Sequence, residues 1–166
     1  MGSGKSYVGR PLAAKLGFQF VDVDDIIEHT EGVTIAQIFE NKGETYFRQL
    51  ESEILRGLGK WENIVIATGG GAACFHNNMD WMNEQGVTIY LKASPELLLS
   101  RLKTETHKRP LLAGRTDADL LGFIENKIAE RAQFYEKDSL IIEQVSDGED
   151  IVVDIINALY SRISQN

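Results

Sequence analysis

The chain has 166 residues, of which 43% are hydrophobic, and its formal net charge is −8 at pH 7. This length and apolar content fit a single domain with a substantial core. The negative charge argues against general affinity for nucleic acid or for a membrane surface. The one cysteine, Cys74, excludes an internal disulfide and is typical of a reducing compartment. We therefore expect a cytoplasmic protein that binds neither nucleic acid nor a membrane.

The first feature along the chain is the sequence MGSGKS at residues 1–6, which matches the end of the phosphate-binding pattern G-x-x-x-x-G-K-[ST]. In such a loop, backbone N–H groups surround phosphate oxygens, the lysine reaches the β- and γ-phosphates and the hydroxyl ligates Mg²⁺. The predicted nucleotide contacts are Gly2, Ser3, Gly4, Lys5, Ser6 and Tyr7. The leading glycine of the pattern and the strand before it would precede Met1, so we expect the native chain to begin about ten residues upstream.

Two other interpretations of these six residues stay open at this point. The segment is similar to a linker rich in glycine and serine, but a linker does not explain the helical spacing of the apolar residues that follow, Val8, Leu12, Ala13 and Leu16. It also matches the myristoylation pattern M-G-x-x-x-[ST], which requires Gly2 to be the first residue of the mature protein.

Helical and strand patterns alternate along the rest of the chain, which favours an α/β fold with a parallel sheet. The predicted helices cover residues 5–16, 25–31, 34–41, 43–58, 77 or 78 to 83, 95–103, 117–136 and 150–163. The predicted strands cover residues 19–23, 63–67, 87–91 and 140–143. We expect Pro11 to kink or shorten the first helix, and Asn77 or Asn78 to cap the helix that follows it. Residues 104–116 lack periodicity and are interpreted as a loop.

Asp22 and Asp24 end the first predicted strand, at residues 19–23. Because residues i and i+2 of a strand point the same way, both carboxylates are expected on one face at the carboxyl edge of the sheet, where such folds bind their ligands. One could hold Mg²⁺ and the other could accept a proton from a substrate hydroxyl. The alternative is that Asp24 or Asp25 caps the next helix.

Arg48 lies between Glu44 and Glu51 on one face of the helix predicted over residues 43–58. A solvated row of ion pairs explains this spacing, and the spacing alone slightly favours it. Alternatively, the glutamates orient the planar guanidinium to bind a carboxylate. The glycines at 69–71 follow a buried strand and require bare backbone, either for close approach to a ligand or for a tight turn.

Two further arginines are candidates for a site. Arg109 precedes a proline in the loop at 104–116, which is either an ordinary surface loop or a mobile lid that brings a cation to the transferred phosphate. Arg131 lies within the apolar stripe of the helix at 117–136, so its charge needs an anionic partner unless the side chain snorkels to water.

The chain resembles the shikimate kinase family over nearly its whole length. The matching segments, in the order of the family, are MGSGKS, VDVDDIIE, IFENKGETYFRQLE, ATGGGA, RPLL and ERAQFYE. The resemblance implies a P-loop kinase fold with a five-stranded parallel sheet, a helical substrate-binding segment and a lid. It implies transfer of the γ-phosphate of ATP to the 3-hydroxyl of shikimate, with Mg²⁺, in aromatic amino-acid biosynthesis.

The resemblance also assigns roles to residues of this chain. Lys5 and Asp24 are catalytic, together with Arg109 of the lid, and Asp24 binds the substrate hydroxyls and acts as base. The metal residues are Ser6 and Asp22, and Arg101 is an adenine contact. The substrate carboxylate is held by Arg48 and Arg131, beside backbone donors from Gly70 and Gly71. The family often carries an arginine in the late loop on the adenine side, but residues 144–149 contain none.

The same resemblance predicts one P-loop kinase domain over residues 1–166. Its parts are the start of the nucleotide-binding core (1–24), the substrate-binding segment (25–58), a second core segment (59–103), the lid (104–116) and the last core segment (117–166). We expect a monomer whose partners are the small molecules ATP and shikimate. Two alternatives are another small-metabolite kinase, such as a gluconate-type kinase, and a nucleotide-binding protein without turnover.

Overall fold

The protein is represented by a computed structural model that describes residues 2–104, 116–137, 139–145 and 150–164. The strands are β1 (Gln19–Asp22), β2 (Ile64–Ala67), β3 (Ile89–Ala93) and β4 (Leu140–Gln144). The helices are α1 (Lys5–Leu16), α2 (Val23–Glu31), α3 (Ile35–Leu58), α4 (Asn78–Gln85), α5 (Pro95–Thr104), α6 (Asp117–Tyr135) and α7 (Ile151–Ile163), and a 3₁₀ turn covers Ala72–Cys74. The predicted α/β fold with parallel strands is confirmed.

One compact unit covers Lys5–Val87. Its strands β1 and β2 pair in parallel, from Gln19 opposite Ile64 to Asp22 opposite Ala67, and α1 packs on both. Helices α2 and α3 bury the main apolar cluster of this unit, formed by Val23, Ile27, Ile38, Phe47, Leu55 and Leu58. The parallel pairing places the carboxyl ends of both strands side by side, so the segments after Asp22 and after Ala67 start next to each other.

The other compact unit joins Met1–Gly4 to Thr88–Asn166. Here β3 and β4 pair in parallel, from Ile89 opposite Leu140 to Ala93 opposite Gln144. Helices α5 and α6 pack together over a cluster of Ala93, Leu98, Leu102, Leu120 and Ile124. Within the described residues, no helix is both long enough and apolar enough to cross a membrane.

Pro11 lies inside α1, which nevertheless covers the full length that the apolar spacing predicts. The expectation that the proline shortens this helix was therefore wrong. A proline removes the N–H that would bond to the carbonyl four residues earlier, here that of Tyr7. Both residues are exposed, so water can bond to this carbonyl and the helix continues.

Helix α3 contains a break at Gly43, whose φ of 80° and ψ of 171° are not helical. This matches the prediction of two successive helices, one ending at residue 41 and one starting at 43. The first begins with a capping box, in which Thr34 and Gln37 exchange side-chain and backbone hydrogen bonds. Glycine adopts a positive φ without the strain that a side chain would introduce, so the break falls there.

The carboxyl end of α3 packs against α4 through Trp81. A Cβ added to Gly59 would lie 2.6 Å from the Trp81 ring, so the ring rests on bare backbone. The Arg56 guanidinium lies 5.2 Å from the centre of that ring and donates a hydrogen bond of 2.7 Å to the His76 carbonyl. Trp61, in contrast, is 55% exposed.

Candidate active site

Asp22 and Asp24 lie where β1 passes into α2. Strand β1 ends at Asp22, which is the N-cap residue of α2, and its Oδ1 accepts a hydrogen bond of 3.0 Å from the Asp24 backbone N–H. The predicted strand was one residue too long, so the two carboxylates do not share one face of a strand. The alternative that Asp24 or Asp25 caps the helix was also wrong, because Asp22 does so. The carboxylates still come together, through the cap instead of the strand.

Ser6, in the first turn of α1, contacts the same aspartate. Its hydroxyl donates a hydrogen bond of 2.5 Å to Asp22 Oδ2. A hydroxyl and a carboxylate are oxygen ligands of the kind that Mg²⁺ takes, usually together with water and substrate phosphates. Within the described part of the chain, no group of three or more His, Cys, Asp or Glu residues could hold a metal. Ser6 and Asp22 therefore fit a magnesium ion that takes its other ligands from a nucleotide and water.

Asp24 is half-buried, and burial is the main cause that raises the pKa of its carboxyl. The negative charge of Asp22 raises this pKa further, whereas the positive charges of Lys5 and Arg48 oppose the shift. The described residues provide no hydrogen-bond partner for the buried oxygen Oδ1. A buried acceptor without a donor is costly, so this oxygen is suited to the hydroxyl of a ligand.

Arg48 and Glu51 form a buried ion pair on α3. The Arg48 Nη1 donates a hydrogen bond of 2.8 Å to Glu51 Oε2, and the two side chains are 10% and 0% exposed. Arg48 Nε also donates to Glu44 Oε1 at 3.2 Å. The interpretation of this row as solvated ion pairs was wrong for Arg48 and Glu51, because other elements cover this face of the helix.

Aromatic rings surround the Arg48 guanidinium. Its central carbon lies 4.7 Å from the centre of the Phe75 ring, 4.9 Å from that of Phe47 and 6.0 Å from that of Phe39. At these distances the negative faces of the rings attract the cation and restrict its orientation. No local sequence pattern places Phe75 beside Arg48, because the two residues approach each other only through the fold.

The glycines after β2 leave room for these charged side chains. A Cβ on Gly71 would lie 2.5 Å from Arg48 Nη2, and a Cβ on Gly69 would lie 2.5 Å from Glu51 Oε1. Gly71 has a φ of −101°, which any residue can adopt, so close approach rather than backbone conformation requires glycine there. The groups that approach this bare backbone are the Arg48 and Glu51 side chains, and the predicted close approach to a ligand stays a prediction. The donor roles of Gly70 and Gly71 stay predictions.

A buried polar bridge ties the turn after these glycines to α3. Ser52 Oγ donates to Asn78 Oδ1 at 2.8 Å, and Asn78 Nδ2 donates to the Ala72 carbonyl at 3.0 Å. From the sequence, Asn77 or Asn78 is expected only as a helix cap. Helix α4 does begin at Asn78, but Asn77 makes no side-chain cap bond. Asn78 is fully buried, and no local pattern marks it as a bridge.

The unit of Met1–Gly4 and Thr88–Asn166 holds Arg101 and Arg131, together with the first residues of the predicted phosphate loop. Gln144, at the end of β4, donates from Nε2 to the Ser3 carbonyl at 3.1 Å, and its Oε1 accepts from Arg101 Nη1 at 2.8 Å. Arg131 is half-buried on α6, and its role stays a prediction. Arg109 and most of the predicted lid lie outside the described residues. Tyr7, on α1 of the Lys5–Val87 unit, is 86% exposed and stays a predicted contact.

Comparisons with known proteins agree on one family. A family model described as "SKI: Shikimate kinase" matches residues 1–160. A shikimate kinase of Parabacteroides distasonis is 42% identical over 160 residues, which cover 96% of this chain and 92% of the relative.

Solved structures give the same result. The crystal structure of a shikimate kinase from Bacteroides thetaiotaomicron is 37% identical, with a TM-score of 0.90 and coverage of 97% of this chain and 94% of that one. A shikimate kinase from Acinetobacter baumannii in complex with shikimate is 34% identical, with a TM-score of 0.88 and coverage of 98% and 89%.

Proposed function

The chain belongs to the shikimate kinase family, and we propose that its buried charges around Asp24 and Arg48 carry out its reaction, the ATP-dependent phosphorylation of shikimate. The products are shikimate 3-phosphate and ADP. The observation that carries the residue-level proposal is the Asp24 carboxylate. It is half-buried, its pKa is raised, and its buried Oδ1 has no donor among the described residues. The substrate hydroxyl that is to be phosphorylated supplies the missing donor.

The phosphate side of the site is built on the segment around Lys5. Backbone N–H groups of residues 2–6 bind phosphate oxygens, and Lys5 neutralises part of their charge. Lys5 is close enough to Asp24 to influence its pKa, which supports a short path between the phosphates and the acceptor hydroxyl.

Ser6 and Asp22 hold the magnesium ion in this proposal. A magnesium ion held there would neutralise charge on the transferred phosphoryl group. Because the Ser6 hydroxyl donates to Asp22, the two ligands are already adjacent. Asp22 also caps α2 and thereby fixes the backbone at Asp24, so a single side chain serves both the metal site and the position of the base.

Arg48 binds the carboxylate of shikimate. Its Nε and Nη1 are oriented by Glu44 and Glu51, while Nη2 lies against Gly71. Guanidinium has five donors, so Arg48 retains N–H groups for a carboxylate of the substrate. Holding that carboxylate fixes the ring of shikimate, which brings its hydroxyl towards Asp24 and reduces the entropy lost in reaching the transition state.

Asp24 orients the attacking hydroxyl and accepts its proton as the phosphoryl group is transferred. Phosphoryl transfer depends mainly on positioning and on neutralising charge, so the base need not be strong. The raised pKa of Asp24 makes its carboxylate a better proton acceptor than an exposed aspartate. The roles of Arg101, Arg109 and Arg131 remain predictions from the resemblance.

The location and assembly of the protein form a separate part of the proposal. We place the enzyme in the cytoplasm because Cys74 is its only cysteine. We also propose that it is a monomer, which size-exclusion chromatography of the purified chain tests directly.

A coupled assay of ADP release tests the function. The chain is supplied with ATP and Mg²⁺ and with shikimate, gluconate or no acceptor. We expect release with shikimate and background rates in the other two arms, and loss of release when Mg²⁺ is chelated. Release with gluconate would support the gluconate-type alternative. ATP binding without release in any arm would support a nucleotide-binding protein without turnover.

A further inference from the structure

Gln144 is a buried polar residue to which neither the sequence nor the proposed mechanism gives a role. It ends β4 and is 5% exposed, and both the nitrogen and the oxygen of its side-chain amide form hydrogen bonds. Its Nε2 donates to the backbone carbonyl of Ser3, and its Oε1 accepts from the Arg101 guanidinium. The side chain therefore joins the predicted phosphate loop to a side chain of α5, inside one compact unit.

The chemistry of the two partners fixes the orientation of this amide. A guanidinium only donates hydrogen bonds, and a backbone carbonyl only accepts them. The carboxamide satisfies both partners in this position, with its oxygen towards Arg101 and its nitrogen towards Ser3. Glutamate has nearly the same shape but would place a carboxylate oxygen against the Ser3 carbonyl. Methionine has a similar length but can serve neither partner well.

The orientation of the Ser3 carbonyl affects how the predicted phosphate loop can bind an anion. Gly2 and Gly4, on either side, have positive φ angles of 68° and 77°. Alternation of this kind turns successive N–H groups into a concave surface for an anion, provided that the carbonyls face away from it. A carbonyl turned inwards would repel a phosphate oxygen. The hydrogen bond from Gln144 gives the Ser3 carbonyl a fixed partner.

We propose that Gln144 is a positioning residue for nucleotide binding, which holds the Ser3 carbonyl in place and orients the Arg101 guanidinium through the same amide. This role rests on the proposed function in so far as the loop binds ATP. It predicts that changes at Gln144 affect the nucleotide side of the reaction and spare the affinity for shikimate.

Two substitutions and a matched control test this role. Gln144→Met removes both hydrogen bonds, and Gln144→Glu keeps the one from Arg101 but loses the one to Ser3. Glu143→Gln is the control, because Glu143 is the preceding residue of β4, exposed and paired only on the surface with Lys92. Melting temperature, dissociation constant for ADP, and kcat and KM for each substrate are measured for the full chain.

We expect the dissociation constant for ADP and the KM for ATP to rise about tenfold in Gln144→Met, because the Ser3 carbonyl and the Arg101 guanidinium both lose the hydrogen bond that positions them. Gln144→Glu should show a larger rise, because it also brings a negative charge towards the phosphates. The KM for shikimate, and kcat at saturating ATP, should stay within about twofold of wild type, and Glu143→Gln should match wild type.

Wild-type affinity for ADP in Gln144→Met would overturn the proposal, and so would an equal rise in both KM values, which a purely structural role would cause. If Gln144→Met does not fold, the ADP affinity of Gln144→Glu decides in the same way. ADP binding is measured without an acceptor, so this result does not depend on the acceptor. A wild-type chain that binds ADP but does not phosphorylate shikimate would refute the function and not the role of Gln144.

Discussion

Two ion pairs of α3, one on each side of Gly43, contrast buried and surface charges. Beyond the break, Arg48 and Glu51 are almost completely buried, and Phe75 and Gly71 contact the guanidinium. Before the break, Lys42 donates to Glu31 of α2 at 2.5 Å, and their side chains are 45% and 11% exposed, so the ammonium is the solvated member. The Tyr46 hydroxyl donates to the same carboxylate at 2.7 Å. Both pairs have good geometry, so geometry alone does not distinguish them.

The difference lies in what each pair loses by leaving water. The Lys42 ammonium keeps part of its hydration, so this pair gives up less than Arg48 and Glu51, and pairs with an exposed member contribute little to stability. Burying Arg48 and Glu51 costs hydration free energy, and their mutual attraction barely offsets that cost. Apolar residues in their place would often make the protein as stable or more stable. A buried arginine is therefore typical of a functional site, and this supports the proposal that Arg48 binds the substrate carboxylate. The raised pKa of Asp24 leads to the same conclusion, because its burial opposes ionisation.

The largest effect is expected from removing the charge of Asp24. In Asp24→Asn, kcat should fall by about a thousandfold, the range of a lost general base, while ATP still binds. The folded-state pKa of Asp24 is raised, so its ionised form opposes folding, and stability is lost as pH rises through that raised pKa. The variant should therefore melt at a higher temperature than wild type at pH 7. Near-full turnover would remove Asp24 from the catalytic role.

A second comparison uses one cation from each pair. Arg48→Ala should raise the KM for shikimate by roughly a hundredfold, because it removes a charge that is desolvated against the substrate carboxylate. Lys42→Ala is the matched control on the same helix and should leave both KM values unchanged. Steady-state kinetics, measured below the melting temperature of both variants, give the KM for shikimate and for ATP in each. Unchanged affinity for shikimate in Arg48→Ala would exclude Arg48 from the site.

A smaller effect is expected from Gly71→Ala, which leaves Arg48 in place but displaces its guanidinium. The new Cβ would overlap the guanidinium, whereas the backbone conformation of Gly71 tolerates alanine. We expect the KM for shikimate to rise about tenfold, equivalent to 1.4 kcal/mol, with little change in melting temperature because the end of a long side chain can move. Gly57→Ala, on the helix α3 that carries Arg48, has open space around the added Cβ and is the control. Equal shikimate KM values would show that the position of Arg48 is not critical.

The smallest effect is expected from the surface pair. The hydrogen bond from Lys42, and then that from Tyr46, lowers the pKa of Glu31. This carboxylate therefore adds stability above its ordinary pKa of about 4.5, and the contribution is lost as pH falls through the lowered value. Glu31→Gln should lower the urea midpoint slightly at pH 7, by a difference that shrinks as pH falls below about 4.5, and should leave catalysis unchanged. A loss of turnover in this variant would contradict the proposed difference between the pairs.

The elements of the fold were largely predictable, because their apolar patterns are local. The break at Gly43 was found for the same reason, since glycine marks it in the sequence. The transition after Asp22 was missed because Val23 is β-branched and continues the alternation of the strand. In the structure, Asp22 is the N-cap residue and α2 begins at Val23. Asp24 and Asp25 are N-cap residues of the same type, so the sequence does not show which aspartate caps the helix.

The site was predictable in its residue types and less so in its surroundings. The spacing of Glu44, Arg48 and Glu51 shows that they share a helix face, but not that Phe75 and the glycine turn cover that face. Gln144 is harder still to find, because it is 43 residues from Arg101 and 141 from Ser3. Its partners become neighbours only through the pairing of β3 with β4 and the return of the first residues to this unit.

The position of Trp81 has a practical consequence for spectroscopy. The chain has two tryptophans, Trp61 and Trp81, and both belong to the Lys5–Val87 unit. Trp61 is largely in water already, so a change of indole emission on heating arises mainly from Trp81 leaving Gly59 and Arg56. Fluorescence therefore follows the half of the enzyme that carries Asp24 and Arg48, whereas circular dichroism follows helices of both halves. Any gap between the two melting midpoints measures how independently the halves unfold.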